Sequence, residues 1–84
     1  MNAYDYEWSN PAEDRLMAIW LTAHDRDAVA RADYQAELLL KQNPRGAGKE
    51  LSEGLWQVIV WPLKIFYEID DAERVVTVTH VELI

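Results

Sequence analysis

The chain has 84 residues, of which 15 are acidic and 8 are basic, and half of its residues are apolar. This length suits a single domain, residues 1–84, and the lack of cysteine excludes disulfide bonds and thiolate metal sites. The net charge of −7 disfavours a nucleic-acid-binding protein, because phosphates are bound through Lys and Arg side chains.

The chain opens with a predicted strand that leads into a helix. Tyr4, Tyr6 and Trp8 alternate with polar residues, and this two-residue period is typical of a half-buried strand. Asn10 is the predicted N-cap of the helix, because Pro11 after it suits the first helical position. One face of this helix carries the apolar residues that we expect to be buried, which are Leu16, Ile19, Trp20 and Ala23.

A second predicted helix follows a polar turn that contains His24. Asp25 or Asp27 supplies its N-cap. The helix ends at Asn43, because a residue that precedes proline avoids the helical conformation. Nearby glycines indicate a loop, and residues 41–54 are the one stretch expected to be flexible. The predicted buried face of the helix consists of Val29, Ala32, Ala36, Leu39 and Leu40.

The second half of the chain predicts three strands joined by short connections. They are Leu55 to Trp61, Leu63 to Asp70, and Val75 to Leu83. Consecutive strands with short connections form an antiparallel meander. We therefore predict an α+β fold of order β-α-α-β-β-β, in which a helical hairpin packs on one face of a four-stranded antiparallel sheet.

The order and spacing of several short motifs resemble the RelE/ParE toxin family of bacterial type II toxin–antitoxin pairs. The resemblance covers nearly the whole chain, from Tyr4 to Leu83. It is carried by the strand-to-helix opening Tyr6 to Leu16, Asn43-Pro44 with its glycines, Gly54-Leu55, Phe66 to Asp70, and Val75 to Val78 with His80 beyond.

This resemblance implies a toxin that a cognate antitoxin protein holds inactive. In the family, RelE-like members cleave mRNA on the ribosome, whereas ParE-like members act against DNA gyrase and lack the nuclease chemistry. Residues 1–8 have neither the basic start nor the apolar run of a secretory signal. The longest apolar run, Val58 to Leu63, is far shorter than the ~20 residues that cross a bilayer. We expect a cytoplasmic protein with no membrane contact.

RNA cleavage by the family's nucleases uses Lys and Arg residues, or Glu and His, on the sheet and its last strand. Here Trp56 and Glu68 stand where family members often carry Arg, which favours a protein without ribonuclease activity. We therefore expect a protein that is not an enzyme, with an endoribonuclease as the alternative. The residues that remain as catalytic candidates are Lys49, Lys64, Arg74 and His80, each of which has a solvated surface side chain as the competing interpretation.

Two groups of residues are candidates for binding. The cations Lys41, Arg45 and Lys49 surround the glycine loop and form a predicted anion site for a phosphate or an acidic antitoxin segment, unless they merely offset a helix C-terminus. Trp56 and Trp61 lie on opposite faces of one predicted strand, so one of them should face away from the helices. Either one, with Phe66, is the predicted docking surface for an antitoxin or a homodimer partner, with core burial as the rival. The two histidines lack metal-ligand spacing, so no metal and no cofactor are expected.

Three functions follow from these observations. The first is a ParE-like toxin without ribonuclease activity, neutralised by an antitoxin, with gyrase as its target. The second is a RelE-like endonuclease that acts on mRNA at the ribosome. The third is a non-toxic binding module of the same fold, which the acidic net charge suits because it weakens encounter with ribosomes and DNA.

Overall fold

The computed structural model describes residues 3–84 and places three helices and five strands along the chain. In chain order these are β1 (Asp5–Trp8), α1 (Asn10–Thr22), α2 (Arg26–Gln42), α3 (Pro44–Ala47), β2 (Lys49–Ser52), β3 (Leu55–Val60), β4 (Leu63–Asp70) and β5 (Val75–Leu83).

Side-chain oxygens cap both long helices. The Ser9 hydroxyl accepts a hydrogen bond from the Ala12 backbone N–H at 3.3 Å, so α1 begins at Asn10. The prediction of Asn10 as the cap was wrong by one residue, because proline fits the second helical position as well as the first. The Asp25 carboxylate caps α2 by accepting from the Ala28 N–H at 3.0 Å, which confirms one of the two predicted caps.

The sheet has the strand order β1-β5-β4-β3-β2. Strands β3, β4 and β5 form the predicted antiparallel meander. The expectation of a four-stranded, wholly antiparallel sheet was wrong in two respects. Strand β1 pairs in parallel with β5, which is the arrangement that a long crossover connection makes available. Residues expected in a loop form β2, an edge strand that pairs with β3 across a turn at Gly54, whose φ is +84°.

Both long helices pack on one face of the sheet. The hydrophobic core lies between the helices and that face. The helices contribute Ala12, Ile19, Val29, Ala32, Ala36 and Leu40, and the strands contribute Val58, Val60, Leu63, Ile65, Tyr67, Val76, Val78 and Val81. Two residues predicted for the core lie outside it. Trp20 is 41% exposed and Leu39 is also exposed. Each lies at the edge of the apolar face of its helix, and the part of that face that is buried is narrower than the apolar spacing in the sequence predicts.

A β-bulge in β5 sets the direction of the side chains near its end. Phe66 pairs with His80 and the next residue, Tyr67, pairs with Val78, so Thr79 is an extra residue in the strand. The bulge changes the alternation of side chains, and the buried residues pass from Val78 to Val81. As a result, Thr79 and His80 both point to the sheet face opposite the helices.

The connection from α2 to the sheet is held by buried contacts. Tyr67 is fully buried, and its hydroxyl donates a hydrogen bond to the Pro44 backbone oxygen at 2.6 Å. Gly48 lies so close to this hydroxyl and to the Gln57 carbonyl that a Cβ atom there would overlap both. No helix within residues 3–84 combines the length and the apolar character needed to span a bilayer.

Candidate functional site

The sheet face opposite the helices is called the outer face below. The residues that most resemble a catalytic arrangement lie on this face. Cross-strand pairing aligns Lys49, Gln57, Phe66 and His80 in one row, and Ile59, Lys64 and Glu82 in the next. Alternation along the strands also places acidic side chains on this face, and they are Asp5, Glu7, Glu68, Asp70 and Glu82. Acidic groups therefore outnumber the two lysines, Lys49 and Lys64, on the outer face.

Two of the four catalytic candidates lie together on this face. Lys64 pairs directly with Glu82 across β4 and β5, and His80 Nε2 lies 3.3 Å from Glu82 Oε2. The His80 ring also contacts the Phe66 ring at a centroid distance of 5.6 Å. An imidazole in contact with a carboxylate, with a lysine at the position paired with that glutamate in the sheet, provides elements of proton transfer.

The other two catalytic candidates lie at a distance. Lys49 is three strands from His80 in the same row, about 14 Å at the usual strand spacing. Arg74 precedes β5 at the opposite end, six residues from His80, which is about 20 Å along an extended chain. Its guanidinium lies 4.2 Å from the centre of the Tyr4 ring. The four candidates therefore do not converge on one scissile phosphate.

Two of the three cations of the predicted anion site, Lys41 and Arg45, form ion pairs, whereas Lys49 lies in β2 on the outer face. Lys41 contacts Glu37 at 3.0 Å, and Arg45 binds both carboxylate oxygens of Asp71 at 2.9 and 2.6 Å. Tyr4 donates a further hydrogen bond to Asp71. The Arg45 hydrogen bonds, followed by that of Tyr4, lower the pKa of Asp71 to about 2. Sequence reasoning missed Asp71 because it lies 26 positions from Arg45 and no local pattern connects them.

The three predicted docking aromatics lie in different places. Trp56 is on the helix side of β3, half-buried and stacked on Tyr67 with ring centroids 6.4 Å apart. Trp61 lies in the β3–β4 turn and is 71% exposed. Phe66 is on the outer face, half-buried beside His80. Trp61 is thus the residue of the three that offers the largest open surface to a partner.

A comparison with known protein families gives a match that extends over residues 6–82 and so over most of the chain. The matching family is described as the ParE toxin of the type II toxin–antitoxin system, parDE. The chain belongs to the ParE toxin family. No curated protein matches this ParE-family chain by sequence.

Solved structures of related toxins have the same fold. The toxin–antitoxin complex RelBE2 from Mycobacterium tuberculosis matches with a TM-score of 0.84 and 21% identity, covering 100% of this chain and 94% of that one. The chromosomal ParDE system of P. aeruginosa matches with a TM-score of 0.72 and 15% identity, covering 100% and 99%. The isolated E. coli RelE toxin matches with a TM-score of 0.70 and 18% identity, covering 96% and 84%. At these identities the likeness establishes the fold, and the family match over residues 6–82 confirms the RelE/ParE resemblance of the sequence.

The ParE-family chain also has a groove between α1 and α2 that sequence reasoning missed. It has a volume of about 420 Å³ and is lined by Glu13, Leu16, Met17, Trp20, Val29, Ala30 and Asp33. Burial raises the pKa of Asp33, and the Tyr6 hydroxyl lies 3.4 Å from its carboxylate. A signal was present in the sequence, since Met17 and Leu21 extend the apolar residues of α1 beyond a single core stripe.

Proposed function

We propose that this protein is the toxin of a type II pair, that it acts in the ParE manner on DNA gyrase without cutting RNA, and that a cognate antitoxin neutralises it. Membership of the ParE toxin family supports the toxin role. The observation that carries the choice of mechanism is the acidic outer face, where the nuclease candidates lie beside carboxylates.

The argument against RNA cleavage is electrostatic. Attack by a 2′-hydroxyl builds negative charge on the phosphate, and a nuclease stabilises that charge with cations. Lys64 faces Glu82, and the same carboxylate contacts His80. A carboxylate about 4 Å from a phosphate costs ~1 kcal/mol in water and ~4 kcal/mol near a protein surface. Phosphate binding at this place is therefore opposed by the nearest charged groups.

One observation favours the RelE-like alternative. Lys64 is paired with Glu82 in the sheet and His80 contacts Glu82, so a cation and a general acid or base lie on the same part of the outer face. The third alternative, a non-toxic module, differs from both in that it predicts no effect on growth.

Expression of the protein alone from an inducible promoter tests the toxin role. We expect growth to stop, and co-expression of the protein encoded by the neighbouring gene to restore it. Purified protein is then expected to inhibit supercoiling by gyrase and to leave ribosome-bound mRNA intact. Harmless expression at a high level would contradict the toxin role and favour the non-toxic module.

Two variants separate the gyrase mechanism from the nuclease mechanism. Lys64→Ala and His80→Ala change exposed or half-exposed side chains and are expected to retain full growth arrest. Glu68→Ala on the same face is the matched control. Cleavage of mRNA by the wild type, together with loss of growth arrest in both variants but not in the control, would identify the protein as a nuclease.

The antitoxin contact is proposed to include Trp61. This residue lines a hollow with Pro62, Leu83 and Ile84 and with the α1–α2 turn. Trp61→Ala is expected to weaken binding of the antitoxin, because large exposed aromatics are frequent anchors of interfaces. Phe66→Ala tests the outer face in the same titration. Unchanged affinity in both variants would remove the aromatic docking surface.

A further inference from the structure

We propose that a pocket between the end of α2 and the β4–β5 turn, hereafter the arginine pocket, binds a phosphate group. The phosphate is either a free ion or part of a small phosphate monoester. The pocket has a volume of about 360 Å³ and is lined by Tyr4, Gln42, Asn43, Pro44, Arg45 and Arg74. The site is independent of the proposed toxin role, because its ligand is neither the antitoxin nor gyrase.

The charged side chains that line the arginine pocket are both cationic. Arg45 comes from α3 and Arg74 from the β4–β5 turn. By contrast, the groove between α1 and α2, the α1–α2 groove, is lined by the acidic residues Glu13 and Asp33. The lining of the arginine pocket therefore attracts an anion, although the chain as a whole has a net charge of −7.

A carboxylate beside the pocket holds one of the two guanidinium groups in place. Both terminal nitrogens of Arg45 donate to Asp71, at 2.9 and 2.6 Å. A guanidinium has five N–H groups, so this pair leaves others that Asp71 does not engage. The two arginines and Asp71 together keep one net positive charge. Asp71 therefore orients Arg45 without cancelling the attraction for an anion.

The second guanidinium is brought to the same carboxylate by the β4–β5 turn. Arg74 has a φ of +55°, in the left-handed region that residues other than glycine rarely adopt. Its guanidinium lies 4.2 Å from the centre of the Tyr4 ring, and the Tyr4 hydroxyl donates to Asp71 at 2.9 Å. After the hydrogen bonds of Arg45 and Tyr4, the positive charge of Arg74 also lowers the pKa of Asp71. Both arginines therefore lie near one carboxylate and line one pocket.

The donors of the arginine pocket suit a phosphate better than a carboxylate. Guanidinium groups bind phosphate oxygens through forked pairs of hydrogen bonds. A phosphate monoester has three terminal oxygens and a charge of about −1.5 to −2 at neutral pH, so it can accept from two arginines at once. Asn43 adds an amide donor, because its Oδ1 accepts from the Gly46 N–H at 3.0 Å and leaves the NH₂ group to donate.

The size of the pocket and the charge of the chain limit the ligand further. A volume of about 360 Å³ falls at the lower end of the range of small-molecule sites, about 300–1,000 Å³. The pocket therefore has room for a phosphate and for a small group attached to it. A nucleic acid would bring further phosphates towards the outer face, where Glu68 and Asp70 lie, and would be repelled.

NMR correlation spectra of backbone amides, recorded on the full chain during titration with sodium phosphate, AMP or adenosine, test the site. We expect both phosphate ligands to shift the amide signals of Asn43, Arg45, Gly46 and Arg74, with a Kd of about 1 mM or below. Adenosine lacks the phosphate and should leave these signals unchanged. Tighter binding of AMP than of phosphate would identify a monoester as the ligand, and equal or weaker binding would identify the free ion.

Sodium chloride at the same ionic strength is the control for salt effects. If neither phosphate nor AMP shifted these signals, or if sodium chloride shifted them equally, the phosphate site would be wrong.

Substitutions of the two arginines test which groups bind the phosphate. Arg45→Gln and Arg74→Gln each remove a guanidinium and are expected to weaken binding at least about fivefold. Arg31→Gln is the matched control, because it removes the same charge from an exposed position on α2, and it should change affinity less than about twofold. Arg74→Lys keeps the charge but loses the forked donors, so its affinity should lie between those of the wild type and Arg74→Gln.

The amide spectra of each variant verify that it folds, and Arg74→Lys remains informative where a glutamine variant does not. Unchanged affinity in both glutamine variants would restrict the two arginines to a structural role beside Asp71 and overturn the phosphate site.

Discussion

The hydrogen bond between Tyr67 and Pro44 gives the sharpest stability prediction. The Tyr67 ring is fully buried, and its hydroxyl donates to the Pro44 backbone oxygen at 2.6 Å. Tyr67→Phe preserves the ring and its packing and removes the donor alone. Since Pro44 is buried too, its carbonyl loses this partner where water does not easily replace it.

The size of the effect follows from the free-energy cost of leaving the Pro44 carbonyl without a hydrogen-bond partner. A typical hydrogen bond contributes about 1 kcal/mol net, and a buried polar group left without a partner costs about 1–3 kcal/mol. For a domain of 84 residues, total stability is about 4–13 kcal/mol. We therefore expect Tyr67→Phe to reduce the free energy of unfolding by about 2 kcal/mol, and to lower Tm by roughly 10 °C.

Urea unfolding followed by tryptophan fluorescence measures this change. Tyr34→Phe is the control, because Tyr34 is 63% exposed on α2 and loses the same atom. We expect the control to stay within about 0.5 kcal/mol of the wild type. If Tyr67→Phe were as stable as Tyr34→Phe with an unchanged m-value, the bond would have no role in holding the α3 connection against the sheet.

Three further perturbations have defined outcomes. Gly48→Ala should destabilise the fold by about 3 kcal/mol in urea unfolding, because its methyl group would overlap the Tyr67 hydroxyl in a filled core. Asp71→Asn should lower stability at neutral pH and lose its effect in acid, because the Arg45 contact holds the pKa of Asp71 at about 2. The stabilisation by Asp71 is present at pH values above its ordinary pKa of 3.8 and disappears as the pH falls towards 2. Urea midpoints of the wild type and the variant, measured across this pH range, will show the loss. Asp25→Ala should cost about 1 kcal/mol and reduce helical circular dichroism, since it removes the N-cap of α2.

Each of these predictions has its own control. Gly54→Ala meets open space at a φ of +84°, so it should cost only about 1 kcal/mol of backbone strain, less than Gly48→Ala. Asp14→Asn removes an exposed carboxylate from α1 and is the control for the change in net charge. Asp25→Asn retains a capping oxygen and should preserve stability within a few tenths of a kcal/mol. Equal losses in a variant and its control would contradict the corresponding contact.

Local periodicity was sufficient for most of the secondary structure. The apolar spacing in α1 and α2, the alternation in β4, and the aromatic and β-branched composition of β3 and β5 predicted these elements, because each depends on which side chains face one core. Strand β2 was missed because Lys49–Ser52 has no alternating apolar pattern, and all four residues are exposed. Its strand conformation comes from pairing with β3, a contact that no local pattern encodes.

The candidate site was harder to predict because its geometry depends on contacts between distant elements. The β5 bulge places both Thr79 and His80 on the outer face, whereas strict alternation would place them on opposite faces. The pairing of Arg45 with Asp71 likewise depends on how the α3 loop approaches the β4–β5 turn. The α1–α2 groove arises because α1 carries more apolar residues than its buried side accommodates.

The acidic groups on opposite sides of the sheet favour the same kind of partner. On the outer face Glu82 is paired with Lys64 in the sheet and contacts His80, and in the groove between α1 and α2 the lining carboxylates belong to Glu13 and Asp33. A nucleic acid would be repelled from either place, whereas a basic protein surface would be attracted to both. Because exposed charges are screened beyond about 8–10 Å at physiological salt, this attraction should accelerate association mainly at low ionic strength. We therefore expect both the antitoxin and the target to be recognised through protein surfaces that combine apolar and basic side chains, rather than through phosphates.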